Sequence, residues 1–130
     1  MAGDEAQELI EEANRLCRQG DFGQALAVCD KALVLDPRDA DAWANRGAVL
    51  DALERHQEAL ESYDKTLDID PQYADAWHFR GHVLGELGRH HEALESLDKA
   101  LAIDPQDAIL WDCRSVWLSN LKRYQEAVES

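Results

Sequence analysis

The sequence predicts an all-α fold built from consecutive helix pairs, and three observations carry that prediction. Pro37, Pro71 and Pro105 each follow an aspartate and stand 34 residues apart, an interval that signals a repeat architecture. Within an interval, apolar residues recur at three- and four-residue steps twice over. They run along Ala40, Trp43, Gly47, Leu50 and Leu53, then along Ala59, Leu60, Tyr63, Leu67 and Ile69, which is helical spacing. No stretch alternates as a half-buried strand would.

Taken in order, the first period is the loosest, with Leu9, Ala13, Leu16, Ala25, Cys29 and Pro37 at the recurring positions. The second and third run from Ala40 and Ala74. Short turns, "ERH" and "GRH", separate the two helices of each pair. Proline disfavours helical geometry in the residue before it, so each Asp-Pro ends the second helix. Asp39 and Asp107 are placed to cap the helix that follows. The fourth period starts with Trp111, Ser115, Leu118 and Ala127 and stops at Ser130, before an Asp-Lys or Asp-Pro. One domain over 1–130 is expected, with repeats at about 6–39, 40–73, 74–107 and an incomplete 108–130. The chain reads as a fragment, with a last helix of about two turns, too short to stand unpacked. Trp117 replaces Val49 and Val83, so it either covers the open end or awaits a missing element. Concentration-dependent association, weakened by Trp117→Lys, follows from such an edge.

Trp43, Trp77 and Trp111 keep the interval and are expected in the core. Arg46, Arg80 and Arg114 keep it too, as do Asp30, Asp64 and Asp98. These two series suggest a ladder between helices; the other reading has the arginines reaching a carboxylate of a ligand.

The net charge is -14, from 27 acidic and 13 basic residues. That field repels phosphate backbones and anionic lipid, so neither nucleic acid nor membrane is the expected partner. No apolar run reaches the roughly 18 residues of a membrane span, and the start lacks a signal-peptide pattern. Three cysteines without framework spacing suit a reducing, cytoplasmic setting.

The recurring residues resemble the tetratricopeptide repeat (TPR) family, whose signature runs from Trp through a small residue, an apolar residue, Ala and an aromatic to Pro. Trp43, Gly47, Leu50, Ala59, Tyr63 and Pro71 match it in order. Trp77, Gly81, Leu84, Ala93, Leu97 and Pro105 match with the aromatic replaced. The resemblance implies a right-handed superhelical solenoid of antiparallel helix pairs, about three and a half units, with a concave groove that binds proteins.

It also implies that the first helix of each pair lines the groove. The stripes are then Gln7, Ile10, Glu11, Asn14, Cys17 and Arg18; Asp41, Ala44, Asn45, Ala48, Asp51 and Ala52; Asp75, His78, Phe79, His82, Gly85 and Glu86; and Ile109, Asp112, Cys113, Val116, Ser119 and Asn120. Periods two and three share 23 of 34 residues, yet five of the six stripe positions differ. Neutral drift should not spare one face and rewrite the other. A chaperone-tail-binding subclass clamps a carboxylate with lysine, asparagine and arginine. Its asparagine places match Asn14 and Asn45, but its cation places hold Ile10, Asp75 and Phe79, which disfavours that ligand.

His78 and His82, four apart, have zinc-ligand spacing, with Asp75, Asp112 or Cys113 as partners. No third ligand is fixed locally, so no cofactor is expected. Cys113 beside either histidine would be a Cys-His pair without an oxyanion donor or orienting group. The expected function is therefore a non-catalytic interaction module. Its candidate groove residues are Asn14, Asp41, Asn45, Asp75, His78, Phe79, His82, Glu86 and Asp112, with Phe79, Ile10 and Val116 as apolar contacts. A protein or peptide partner with basic residues would suit it. The alternatives are a scaffold that self-associates end to end, and a regulatory segment of a larger enzyme.

Overall fold

Each Asp-Pro stops a helix as expected. In the computed structural model, which describes the backbone of residues 2–129 and the side chains of 5–123, 125 and 126, Asp36, Asp70 and Asp104 leave helical geometry. Their N–H groups still bond back to Ala32, Thr66 and Ala100. Seven helices result: α1 (Ala2–Arg18), α2 (Phe22–Leu35), α3 (Ala40–Ala52), α4 (His56–Ile69), α5 (Ala74–Glu86), α6 (His90–Ile103) and α7 (Ala108–Glu129). No strand occurs among the described residues. The expected all-α class of consecutive helix pairs is the one found. No described helix is long and apolar enough to cross a membrane.

The turns inside the pairs share one mechanism. Gly20, Glu54 and Gly88 take positive φ, at 82°, 61° and 79°. The next N–H then reaches back over the helix end: Asp21 to Leu16, Arg55 to Leu50, and Arg89 to Leu84. This closure satisfies otherwise orphaned carbonyls. Glu54 holds the left-handed conformation without glycine's freedom. At the helix starts, Asp39 accepts from Ala42 N–H at 3.3 Å, and Asp107 from Ile109 N–H at 2.9 Å. Tyr73 holds the same place before α5 and caps nothing with its side chain.

The chain divides into two units, Met1–Pro71 and Gln72–Ser130. In the first, α1 packs on α2, α3 on α4, and α3 also on α2 and α1. Its core joins Ala13, Leu16, Ala25, Val28, Cys29 and Val49. Close approach of α3 to α4 needs glycine: a Cβ on Gly47 would lie 2.9 Å from the Tyr63 ring. In the second unit α5 packs on α6, and α6 on α7, around Leu97, Ala100, Leu101 and Leu110. Gly81 permits the same approach, since a Cβ there would lie 3.0 Å from the Ala93 carbonyl oxygen.

Two expectations change, and one alternative is decided. Only Trp77 meets the core as expected, half-buried against the Leu97 cluster; Trp43 is half-buried and Trp111 is 49% exposed. Trp43 donates its indole N–H to the Pro37 carbonyl at 2.9 Å, and Trp111 donates to Pro105 at 2.8 Å. They clasp the joint before their helix. The fourth period is one continuous helix, not a helix, a turn and a short second helix; Ala127 lies outside the described side chains. Of the two readings of Trp117, the covering one fits: its indole seats on Gly85, where any Cβ would collide with it, and packs with Cys113 against the Leu97 cluster.

The expected ladder is present within each unit, in partly exposed form. Arg46 Nε donates to Asp30 at 2.9 Å and Nη1 donates to the buried Ser62 hydroxyl at 2.7 Å. Arg80 Nη1 donates to Ser96 at 2.6 Å, and Arg114 Nε donates to Asp98 at 2.7 Å. The Asp30 and Asp98 side chains are each 54% exposed, so these are not the buried pairs whose loss costs several kcal/mol.

Candidate functional site

In the first unit the expected groove residues sit on α1 and α3. Asn14 and Asp41 are exposed and Asn45 is half-buried. Asp51 turns to the His56 ring, 3.0 Å away, across the turn into α4. Ile10 departs from the expected stripe. It is 5% exposed and packs with Ala32 and Ala42. The two alanines leave a hollow between α1, α2 and α3 that an isoleucine fills. The next equivalent, Ala44, is half-buried. This position faces the seam between neighbouring first helices, not the open surface. Cys17 likewise packs against the core cluster.

In the second unit the candidate residues come together on α5 and α7. His82, Ile109, Asp112, Cys113, Val116 and Trp117 line a cleft of about 400 Å³. Ile109 and Val116 are 64% and 57% exposed, so apolar surface faces solvent here; Phe79, outside the lining, stacks on His78 and is 43% exposed. Asp75 and Glu86 lie exposed at the two ends of α5. Gly85, expected in the stripe, is buried beneath Trp117.

The two histidines turn to different partners. His78 Nε2 meets Cys113 Sγ at 3.6 Å, and its ring stacks on Phe79. His82 Nε2 meets Glu86 at 2.6 Å. Burial lowers the pKa of His78, against the opposing pull of Asp75 and Asp107. Burial raises that of Cys113, and Asp112 and Asp107 add to the rise. Both shifts favour neutral forms, a thiol beside an uncharged imidazole. A nucleophilic cysteine needs the opposite arrangement, a thiolate beside a cation. Cys29, fully buried, has its thiol pushed up to about 12 by burial above all. The sequence placed Cys113 and His78 on facing stripes but could not show that they touch.

A second concavity, of about 460 Å³ in the first unit, is lined by Asp30, Leu33, Trp43, Arg46, Glu61 and Lys65. Sequence reasoning did not find it. The signal was there in retrospect, since a tryptophan clasping a turn and an arginine over its ring, 5.7 Å from the centroid, leave space beside them.

Comparison with known proteins fits this architecture. Residues 10–74 match the tetratricopeptide repeat family, and residues 74–107 match it again. A 59-residue stretch is 37% identical to the inactive TPR repeat-containing thioredoxin TTL3 of Arabidopsis thaliana, covering 45% of this chain and 8% of that protein. A 54-residue stretch is 31% identical to tetratricopeptide repeat protein 28 of Homo sapiens, covering 42% of this chain and 2% of that protein. The chain thus spans a small part of these relatives. Among solved structures, the first TPR domain of the human RPAP3 protein matches with a TM-score of 0.90 at 20% identity, over 94% of this chain and 96% of that one. The first TPR of Spaghetti (RPAP3), bound to the HSP90 peptide SRMEEVD, matches at 0.88 and 20% identity, over 92% and 94%. At such identity the likeness is one of fold.

Proposed function

The chain belongs to the tetratricopeptide repeat family, and from that premise we propose that it is a non-catalytic module binding a protein segment with basic residues at the cleft between α5 and α7. The observation that carries this reading is the setting of Phe79, Ile109 and Val116, exposed and apolar, among Asp75, Glu86 and Asp112. Apolar side chains supply anchoring, and carboxylates on the rim select cations and speed encounter. Asn14, Asp41 and Asn45 form a further contact patch in the first unit. The cation places of a carboxylate clamp hold Ile10, Asp75 and Phe79 here, and Ile10 is buried. An acidic tail such as SRMEEVD therefore meets like charge. The setting proposed is cytoplasmic, with no cofactor.

The test is fluorescence anisotropy with two labelled peptides, SRMEEVD and a peptide alternating Lys or Arg with Leu, at low and high salt. The basic peptide should bind, lose affinity with salt as exposed charges are screened, and lose it at every salt level with Phe79→Ala. Tighter binding of SRMEEVD would sink the reading. A second reading, self-association, rests on a separate observation: Trp111 and Leu118 expose another face of α7.

A further inference from the structure

Leu118 occupies the place of Leu50 and Leu84, both 0% exposed beneath the second helix of their pair, yet Leu118 is 40% exposed. Trp111, Ser115, Leu118 and Lys122 recur at intervals of four, three and four, so they share one face of α7. In the second and third periods that face carries α4 or α6. In the fourth, α7 continues through Lys122, the equivalent of Gly20, Glu54 and Gly88, where the other three pairs turn.

The sequence beyond Lys122 nevertheless spells a second helix. Residues 123–130, RYQEAVES, match six of eight residues of RHQEALES at 55–62. Arg123 and Glu126 repeat the spacing of Arg55 with Glu58 and Arg89 with Glu92, pairs at 2.6 Å that open α4 and α6. Ser130 stands 16 residues after Arg114, as Ser62 does after Arg46 and Ser96 after Arg80. Those two serines accept from their arginines, and among the described residues Arg114 bonds Asp98. The face and the segment built to cover it thus belong to one chain, but a continuous helix of 22 residues carries the segment away, over about 1.5 Å per residue.

We propose that a second copy of this chain covers this face. Two α7 helices lie antiparallel about a two-fold axis near Lys122, and residues 123–130 of each copy take the place of α4 or α6 on the partner's Trp111, Ser115 and Leu118. Closed isologous exchange of this kind needs no surface complementarity beyond that already written into the repeat. Ala127 then seats where Ala59 and Ala93 are buried, and Ser130 accepts from Arg114. Closure within one chain would require Lys122 to adopt positive φ, a cost the continuous helix avoids. Ser115 adds two atoms where Gly47 and Gly81 sit, so the exchanged helix crosses slightly farther out.

Sedimentation equilibrium of the full chain tests this, with circular dichroism as the folding control. The wild type should show a reversible monomer–dimer equilibrium. Ala127→Glu should weaken it by about tenfold or more, as should Leu118→Glu. Lys122→Gly should favour monomers with unchanged helix content, because glycine lets each chain close on itself. A strict monomer at every concentration overturns the proposal, and so does a dimer indifferent to Ala127→Glu. A monomer whose melting temperature falls with Ala127→Glu also overturns it, in favour of closure within one chain.

Discussion

Helices α3 and α5 are two versions of one element. They share Trp43 and Trp77, Arg46 and Arg80, Gly47 and Gly81, and Leu50 and Leu84, yet four of the five stripe differences lie at Ala44/His78, Asn45/Phe79, Ala48/His82 and Asp51/Gly85. The shared residues do the same work in both: the glycine admits the second helix and the arginine bonds its buried serine. The differing residues do not. Asp51 turns to His56, while Gly85 vanishes under Trp117. One face of the repeat is held by packing and the other is free to take on chemistry.

The sharpest way to break this comparison is to exchange its most divergent position. Gly85→Asp gives α5 the residue of α3 and drives a carboxylate into the Trp117 indole. A cost of about 3 kcal/mol or more is expected in urea unfolding, by overpacking and burial of charge. Adding Trp117→Val, the residue of the other repeats, should recover part of it. Asp51→Gly should cost only about 1 kcal/mol, a few tenths from helix propensity and the rest from the lost contact with His56.

The shared face makes a smaller prediction. Arg46→Ala and Arg80→Ala should each cost about 1–2 kcal/mol and resemble one another, because each strands a buried serine hydroxyl. Asp30→Ala, at an exposed carboxylate, should cost about 0.5 kcal/mol. A large loss for Asp30→Ala with none for Arg46→Ala would reverse the roles assigned to them.

What was legible in the sequence follows this same division. The period, the helix pairs, the aspartate caps and the Arg–Asp spacing were readable because each depends on neighbours at fixed separation. Ile10 was misplaced because the seam between α1 and α3 depends on the small Ala32 and Ala42, both distant in sequence. Gly85 was misread as surface because its cover, Trp117, arrives from α7. The contact of His78 with Cys113 needed coordinates for the same reason. The unbroken α7 was missed because Lys122, standing where Gly20, Glu54 and Gly88 turn, stays helical.

His78 separates the two helices by pH, since Ala44 cannot titrate. Its pKa lies below the ordinary value because burial disfavours the cation; Asp75 and Asp107 oppose that shift, and Cys113 and His82 are its other neighbours. The unfolded chain then takes up the proton first. Stability contributed by neutral His78 is present above about pH 6.5 and declines as pH falls towards the folded-state value. Proton NMR should show His78 titrating lower than in a model peptide, and His78→Ala should flatten this part of the stability profile. The charge change in the cleft that a free histidine would make near neutrality is correspondingly displaced to more acidic conditions.

The smallest expected effect is on folding by the residue most exposed to a partner. Phe79→Ala should change the unfolding free energy by no more than about 0.5 kcal/mol, since the ring is 43% exposed. A larger loss in denaturant titration would make Phe79 a packing residue and remove the anchor from the cleft.

The tryptophan clasps make the joints optically visible. Trp43 closes the joint from α2 to α3, and Trp111 closes that from α6 to α7, each through one N–H to a proline carbonyl. An indole that leaves its carbonyl enters water and changes its emission. Chains retaining one tryptophan at a time would therefore report where the array begins to peel. In repeat proteins, stability is held by neighbours more than by the whole. Emission from Trp111, in the last helix, should change before that from Trp43 as denaturant rises, and the separation between the two curves would measure how strongly neighbouring pairs melt together.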